Sequence, residues 1–587
     1  MKKVIVGILA IVGGLTIVAV AFGVIVAVGT RLGVGIVMPN TVLEADFEQA
    51  FSEDAPDDPF AKLMVGEGVI VRDVVEALER AGADSRVKGL VARIGVARAG
   101  LAQVQELRDA VAAFRGRGKW AVAWAETYGE FGPGNGAYYL ATAFDEIYLL
   151  PSGDIGLTGL MYETSFLRGA LDKLGVVPRM DHRKEYKNAM NSLTERAYTD
   201  AHREALAKVM DSQFGQMVRG VAAARKLTET QVRGIFDRGP YLGGEAVKAG
   251  LVDGLAYRDE VYDRVERKAG GSPSFLRLGK YLDRAGRPHE KGETVALIFG
   301  VGGVMRGRSG YDPVFGEASM GSDTVAAAFR KAIDDTDVKA ILFRVDSPGG
   351  SYVASDAIWR ETTRARKAGK PVIVSMGDVA GSGGYFVAMA ADKIVAQPGT
   401  ITGSIGVLGG KMLTSGLWDK LGLSWDEVHT SANSRMWTGT HDYSPEEWAR
   451  FQAWLDRVYE DFTGKVAEGR HLTKEKVLQI AKGRIWSGED AKAIGLVDEV
   501  GGYPTALRLV REAAKLPADA PVNLKVFPER KTLLQALIER ESGEPSAQLA
   551  LAARAVAGLR PIMQEAERVG LGPYRGELAM DPVPQVK

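Results

Sequence analysis

The chain repeats itself. Val87-Lys88-Gly89-Leu90-Val91-Ala92-Arg93-Ile94 returns as Val338-Lys339-Ala340-Ile341-Leu342-Phe343-Arg344-Val345, 251 positions later, and residues 119–126 match 370–377 at the same spacing. After a loop that is longer in the first half, the spacing becomes 247: Asp145-Glu146-Ile147 faces Asp392-Lys393-Ile394, Pro151 faces Pro398, Gly156 faces Gly403 and Gly159 faces Gly406. Asp172-Lys173-Leu174-Gly175 recurs unchanged as Asp419-Lys420-Leu421-Gly422, and Gly250-Leu251-Val252-Asp253 as Gly495-Leu496-Val497-Asp498. Matches that keep their order over such a length mean a duplicated structural unit. The runs matched at 251 are each short, β-rich and preceded by a helical stretch, the pattern of parallel strands joined by helical crossovers. The expected body is therefore a tandem α/β duplication. Its repeats span 38–267 and 293–515, a Gly-, Pro- and Arg-rich linker covers 268–292, and a helical extension with a frayed tail covers 516–587.

Residues 4–28 carry no charge, and Thr16 is their only hydroxyl residue. As a helix they would reach roughly 37 Å, enough to cross a bilayer core. The run exceeds the apolar region of a cleaved signal peptide, so residues 1–31 read as an uncleaved, single-pass anchor. Lys2 and Lys3 before it, against Arg31 after it, favour a cytoplasmic N-terminus by the positive-inside rule. The body then lies outside the cytoplasm.

Composition narrows the chemistry. Lys plus Arg and Asp plus Glu are both 74, so no net positive field exists to hold nucleic acid. The absence of cysteine removes disulfides, thiolate metal sites and a cysteine nucleophile. The six histidines form no HExxH pattern. No metal or organic cofactor is expected.

The second repeat holds two Gly-rich turns after predicted strands, Asp346-Ser347-Pro348-Gly349-Gly350-Ser351 and Ala380-Gly381-Ser382-Gly383-Gly384-Tyr385. The latter is one residue away from the G-x-S-x-G elbow that exposes a nucleophilic serine on a strand-to-helix turn. Glycine lets backbone amides approach a ligand closely. One amide from Gly349 or Gly350 and another from Gly383 could form an oxyanion hole, each typically contributing about 3–4 kcal/mol to the barrier. A serine also needs a base, and no histidine stands in a recognisable motif. The repeat offers another candidate: at the spacing of 247, Ser382 corresponds to Asn135, while Lys187 corresponds to Ser434. One copy keeps the hydroxyl and the other the amine, which makes sense if one site lies across the two.

These residues resemble signal peptide peptidase A, the protease IV family, in its long duplicated form. The carrying motifs are Asp346-Ser347-Pro348-Gly349-Gly350, Gly381-Ser382-Gly383-Gly384-Tyr385, Thr402-Gly403-Ser404-Ile405-Gly406 and Tyr186-Lys187. The resemblance implies a Clp-protease/crotonase-like β-α superhelix in each copy. It also implies a Ser/Lys dyad with Ser382 as nucleophile, Lys187 as general base and Ser404 orienting the lysine. It further implies a homo-oligomer, a tetramer in this family, with an apolar bowl-shaped interior, and signal-peptide remnants drawn from the membrane as substrates. The run Asn188-Ala189-Met190-Asn191-Ser192 departs from the family's usual continuation after the lysine.

A dyad of this kind makes a physical demand. A free lysine has a pKa of about 10.4, so only about one in 2,500 is neutral at pH 7, a deficit of roughly 4.6 kcal/mol. Burial can lower a lysine pKa by about 3–5 units, so Lys187 must be desolvated. Glu185 must then turn away, to solvent or to Arg183 or Lys184. Two other readings fit parts of the pattern: a crotonase-like acyl-CoA enzyme, which needs no serine nucleophile, and a non-catalytic membrane scaffold. The Gly-rich runs at 300–303 and 409–410 lack the Gly-Lys-Ser/Thr of a phosphate loop and read as turns. Trp418, Trp425 and Trp437 fall in a region that could line an apolar groove.

Overall fold

Strands such as Val87–Arg93 and Val338–Ser347 are apolar on both faces, the composition of parallel strands covered on both sides. The computed structural model describes residues 35–54, 68–95, 99–312, 317–529 and 577–578. The expected anchor at 1–31 and most of the C-terminal extension lie outside them. Among the described residues no helix is long and apolar enough to cross a membrane.

In the first copy six strands form a parallel sheet in the order Gly254–Leu255, Glu146–Leu149, Trp120–Ala125, Val87–Arg93, Thr41–Asp46, Ser274–Arg277. The second copy repeats that order with Glu499–Val500, Lys393–Ala396, Val372–Gly381, Val338–Ser347, Glu293–Val301 and Val522–Phe527, again parallel. The fold is thus a duplicated α/β unit. Ser274–Arg277 and Val522–Phe527 complete the sheets, and with helix Leu278–Ala285 they come from stretches that read in sequence as linker and extension.

The copies share a core. Leu43, Leu90 and Ala123 of the first sheet and Leu297, Leu342 and Ile373 of the second sheet belong to one buried cluster, bridged by helices Val71–Gly82 and Leu101–Gly116. On the far side of the second sheet, Ile298, Phe343 and Val374 pack with helices Ser322–Asp334 and Tyr352–Lys367. A second tie is an antiparallel ribbon in which Val177–Arg183 of the first copy pairs over seven residues with Val407–Leu413 of the second. The site lies beside this ribbon.

Candidate active site

Strand Val372–Gly381 ends where Ser382 turns the chain into helix Gly383–Ala388. Ser382 takes φ 52° and ψ −115°, a conformation that costs a non-glycine residue energy and is held by its surroundings. Its N–H donates to the Gly403 carbonyl at 2.8 Å. The glycines after it are required by space. A Cβ at Gly383 would lie 2.7 Å from Ser355 Oγ and 3.0 Å from Gly350 N, and one at Gly384 would lie 2.4 Å from the Ser347 carbonyl oxygen. The two Gly-rich turns therefore touch, as expected from sequence.

Lys187 arrives from the first copy, on the loop that follows strand Val177–Arg183. Its Nζ lies 2.8 Å from Ser382 Oγ, 3.0 Å from Ser404 Oγ and 3.1 Å from the Ser404 carbonyl oxygen. Lys187 is 1% exposed, and Ser382 and Ser404 are buried. Ser404 also has a positive φ, 51°, and its N–H donates to the Arg484 carbonyl at 2.7 Å. Glu185 turns away, to Lys482 at 3.0 Å rather than to Arg183 or Lys184. Burial works against its charge, but hydrogen bonds from its own backbone and from Lys482 hold its carboxyl below the usual range. Ser434, the repeat partner of Lys187, sits in an exposed turn with its hydroxyl against Ser431.

Of the two amides the sequence left open, Gly349 is set aside. Its N–H donates to Ser347 Oγ at 3.2 Å. Gly350, with φ 147°, is the one whose nitrogen approaches Gly383. Sequence reasoning missed Gly483. It has φ 81°, and a Cβ there would fall 2.5 Å from the Lys187 nitrogen and Cβ, so only glycine lets the lysine loop close. It lies outside every matched run of the repeat, which is why no signal pointed to it.

The sequence matches the model of Peptidase family S49 twice, over residues 113–271 and 364–517. The chain belongs to peptidase family S49. Among curated relatives of this S49 chain, Protease 4 of Salmonella typhi is 32% identical over 82% of this chain and 78% of its own length. The chloroplastic serine protease SPPA of Arabidopsis thaliana is 29% identical over 78% of this chain and 68% of its own. A protein of Enterococcus faecium named putative signal peptide peptidase SppA is 33% identical over 36% of this chain and 62% of its own length. This S49 member is a serine-type endopeptidase of the Protease 4 kind.

Proposed function

We propose that Ser382 is the nucleophile of this peptidase and Lys187 its general base, with Ser404 orienting the amine. The observation that carries the reading is the 2.8 Å contact between Lys187 Nζ and Ser382 Oγ in a buried pocket. A lysine kept from water beside hydroxyl and carbonyl oxygens has the setting a neutral base needs. The uncharged amine takes the Ser382 proton as Oγ adds to the scissile carbonyl. The resulting oxyanion is met by the N–H groups of Gly350 and Gly383. The ammonium then gives its proton to the leaving amine, and an acyl-enzyme forms. A water molecule, deprotonated by the same amine, hydrolyses the ester and releases Ser382.

The substrate strand has a ready edge. Gly350–Ser351 pairs antiparallel with Glu577–Leu578, and an extended peptide that displaced this segment would pair there in the same way. Apolar peptides, signal-peptide remnants among them, fit the resemblance and the Enterococcus relative's name. An anchor at residues 4–28 would keep the enzyme at the cell inner membrane, its N-terminus cytoplasmic and its body periplasmic, beside lipid and such substrates. Leu421, Leu423, Trp425, Val428 and Trp437 are exposed, apolar surface that self-assembly would cover.

The test is labelling with a fluorophosphonate. The intact chain is expected to be labelled at Ser382, and both Ser382→Ala and Lys187→Ala to lose labelling and peptide hydrolysis while remaining folded. Hydrolysis retained by purified Lys187→Ala would remove the lysine from the mechanism. An acyl-CoA activity left intact by Ser382→Ala would favour crotonase-like chemistry on the same fold.

A further inference from the structure

The mechanism leaves unused a cluster of charges in the seam between the copies. Behind the Gly-rich turns, two carboxyls hold one guanidinium and two more lie close by. Arg344 is fully buried and donates to Glu53 Oε2, Glu106 Oε2 and Ser375 Oγ, each at 2.8 Å. Glu53 and Glu106 come from the first copy. Their other oxygens accept from Gln103 Nε2 at 3.0 Å and from the Tyr503 N–H at 2.7 Å. The Tyr503 ring stands 4.7 Å from the guanidinium.

The remaining two carboxyls touch the catalytic strands. Asp346 directly precedes the Ser347–Gly350 turn, at a register shift between Val345 and Ser347, and its Oδ1 accepts the Val379 N–H at 2.9 Å. Asp378 stands four positions before Ser382. Its Oδ1 accepts the Gln103 N–H at 3.0 Å, in the first turn of helix Leu101–Gly116 of the other copy. Gly377 and Gly100 make room: a Cβ at 377 would lie 2.9 Å from Asp346 Cβ and 3.1 Å from Glu53 Oε1, and one at 100 would lie 2.1 Å from Asp378 Cγ.

Glu53 and Glu106 are buried against the cation, and Asp346 and Asp378 lie half-buried beside them; burial and like charge both favour the neutral acid. Burial, then Glu53 and Asp378, push the Asp346 carboxyl well above its usual range. Burial, with Glu53 adding to it and the Gln103 N–H and Arg344 opposing it, pushes Asp378 up to about 7.

We propose that Asp346 and Asp378 are positioning residues for the dyad: Asp346 ties the oxyanion turn to the nucleophile strand, Asp378 ties that strand to the copy that brings Lys187, and both ties depend on protons held in the seam. This inference rests on the Ser382/Lys187 reading. A folded-state pKa above the ordinary carboxylate value means the native state holds a proton that the unfolded chain has lost. Stability from this seam is therefore greatest below about pH 4 and declines as pH rises to about 7. Loss of the Asp378 proton places a second negative charge beside Asp346 and Glu53, and the seam loosens.

The test is the pH profile of kcat for Asp378→Asn, which keeps an acceptor for Gln103 and cannot ionise. Relative to the intact protein, the variant's kcat is expected to rise about tenfold between about pH 6 and about pH 8, the span of one titration centred near 7. A purely structural residue would lower kcat by the same factor at every pH. A constant ratio overturns the proposal. If Asp378→Asn does not fold, infrared difference spectra of the intact chain across the same pH range must show loss of a protonated buried carboxyl, and its absence overturns the proposal equally. An active Ser382→Ala would instead defeat the dyad reading. An inactive Ser382→Ala with a constant ratio would defeat only the seam.

Discussion

Tyr138 and Tyr385 hold the same post in the two copies: their hydroxyls donate to the Leu251 and Leu496 carbonyls at 2.7 and 2.9 Å. The residue three positions earlier is Asn135 in one copy and Ser382 in the other. The Asn135 carboxamide is committed to the backbone, donating to the Gly159 carbonyl at 2.9 Å and accepting the Thr158 and Gly159 N–H groups at 3.1 and 3.2 Å. Ser382 meets an amine instead. Arg93 and Arg344 diverge in the same way. Arg93 reaches Glu48 and Glu126 at 2.7 and 3.0 Å with its side chain 36% exposed, whereas Arg344 is sealed in the seam. The same scaffold thus spends its strand ends on internal closure in one copy and on a site plus a seam in the other.

That contrast can be broken at three levels. The largest effect is expected at the serine position. In the Ser382→Ala chain, restoring a hydroxyl by Asn135→Ser should recover neither labelling nor hydrolysis, leaving activity down by about 10⁴-fold or more; labelling at position 135 would show that the first copy still holds a usable site. The arginines come next. Arg344→Met strands Glu53 and Glu106 and should destabilise the fold by about 3–5 kcal/mol. Arg93→Met should cost about 1 kcal/mol or less. Denaturant unfolding of the two variants measures both, and equal losses would mean the seam is not what distinguishes the copies. The glycines give the smallest effect. A Cβ at Gly136 meets nothing within 4 Å, whereas its counterpart at Gly383 collides with Ser355 and the Gly350 turn. Gly136→Ala should be neutral or stabilising by about 0.5–1 kcal/mol, and Gly383→Ala should lower kcat/KM by about 100-fold.

Much of this architecture was readable before any coordinates. The repeat could be aligned because strand cores and Gly turns leave local patterns, and the alignment already paired Ser382 with Asn135. The edge strands escaped because Ser274–Arg277 and Val522–Phe527 are too short and mixed to stand out from linker. The lysine's setting was legible in part: the need to bury Lys187 follows from its chemistry, but Lys482 as the partner of Glu185 depends on a loop nearly 300 positions away. The seam was invisible for the same reason. Glu53, Glu106, Arg344, Asp346 and Asp378 are scattered along the chain, and a buried carboxyl looks in sequence like any surface acid.

The ribbon of Val177–Arg183 against Val407–Leu413 has a consequence for how the enzyme is made. Amine and hydroxyl travel on a single polypeptide, so their meeting is unimolecular and its effective concentration is set by the tether, not by expression level. Dilution that would scatter any larger assembly leaves Lys187 and Ser382 together in each chain.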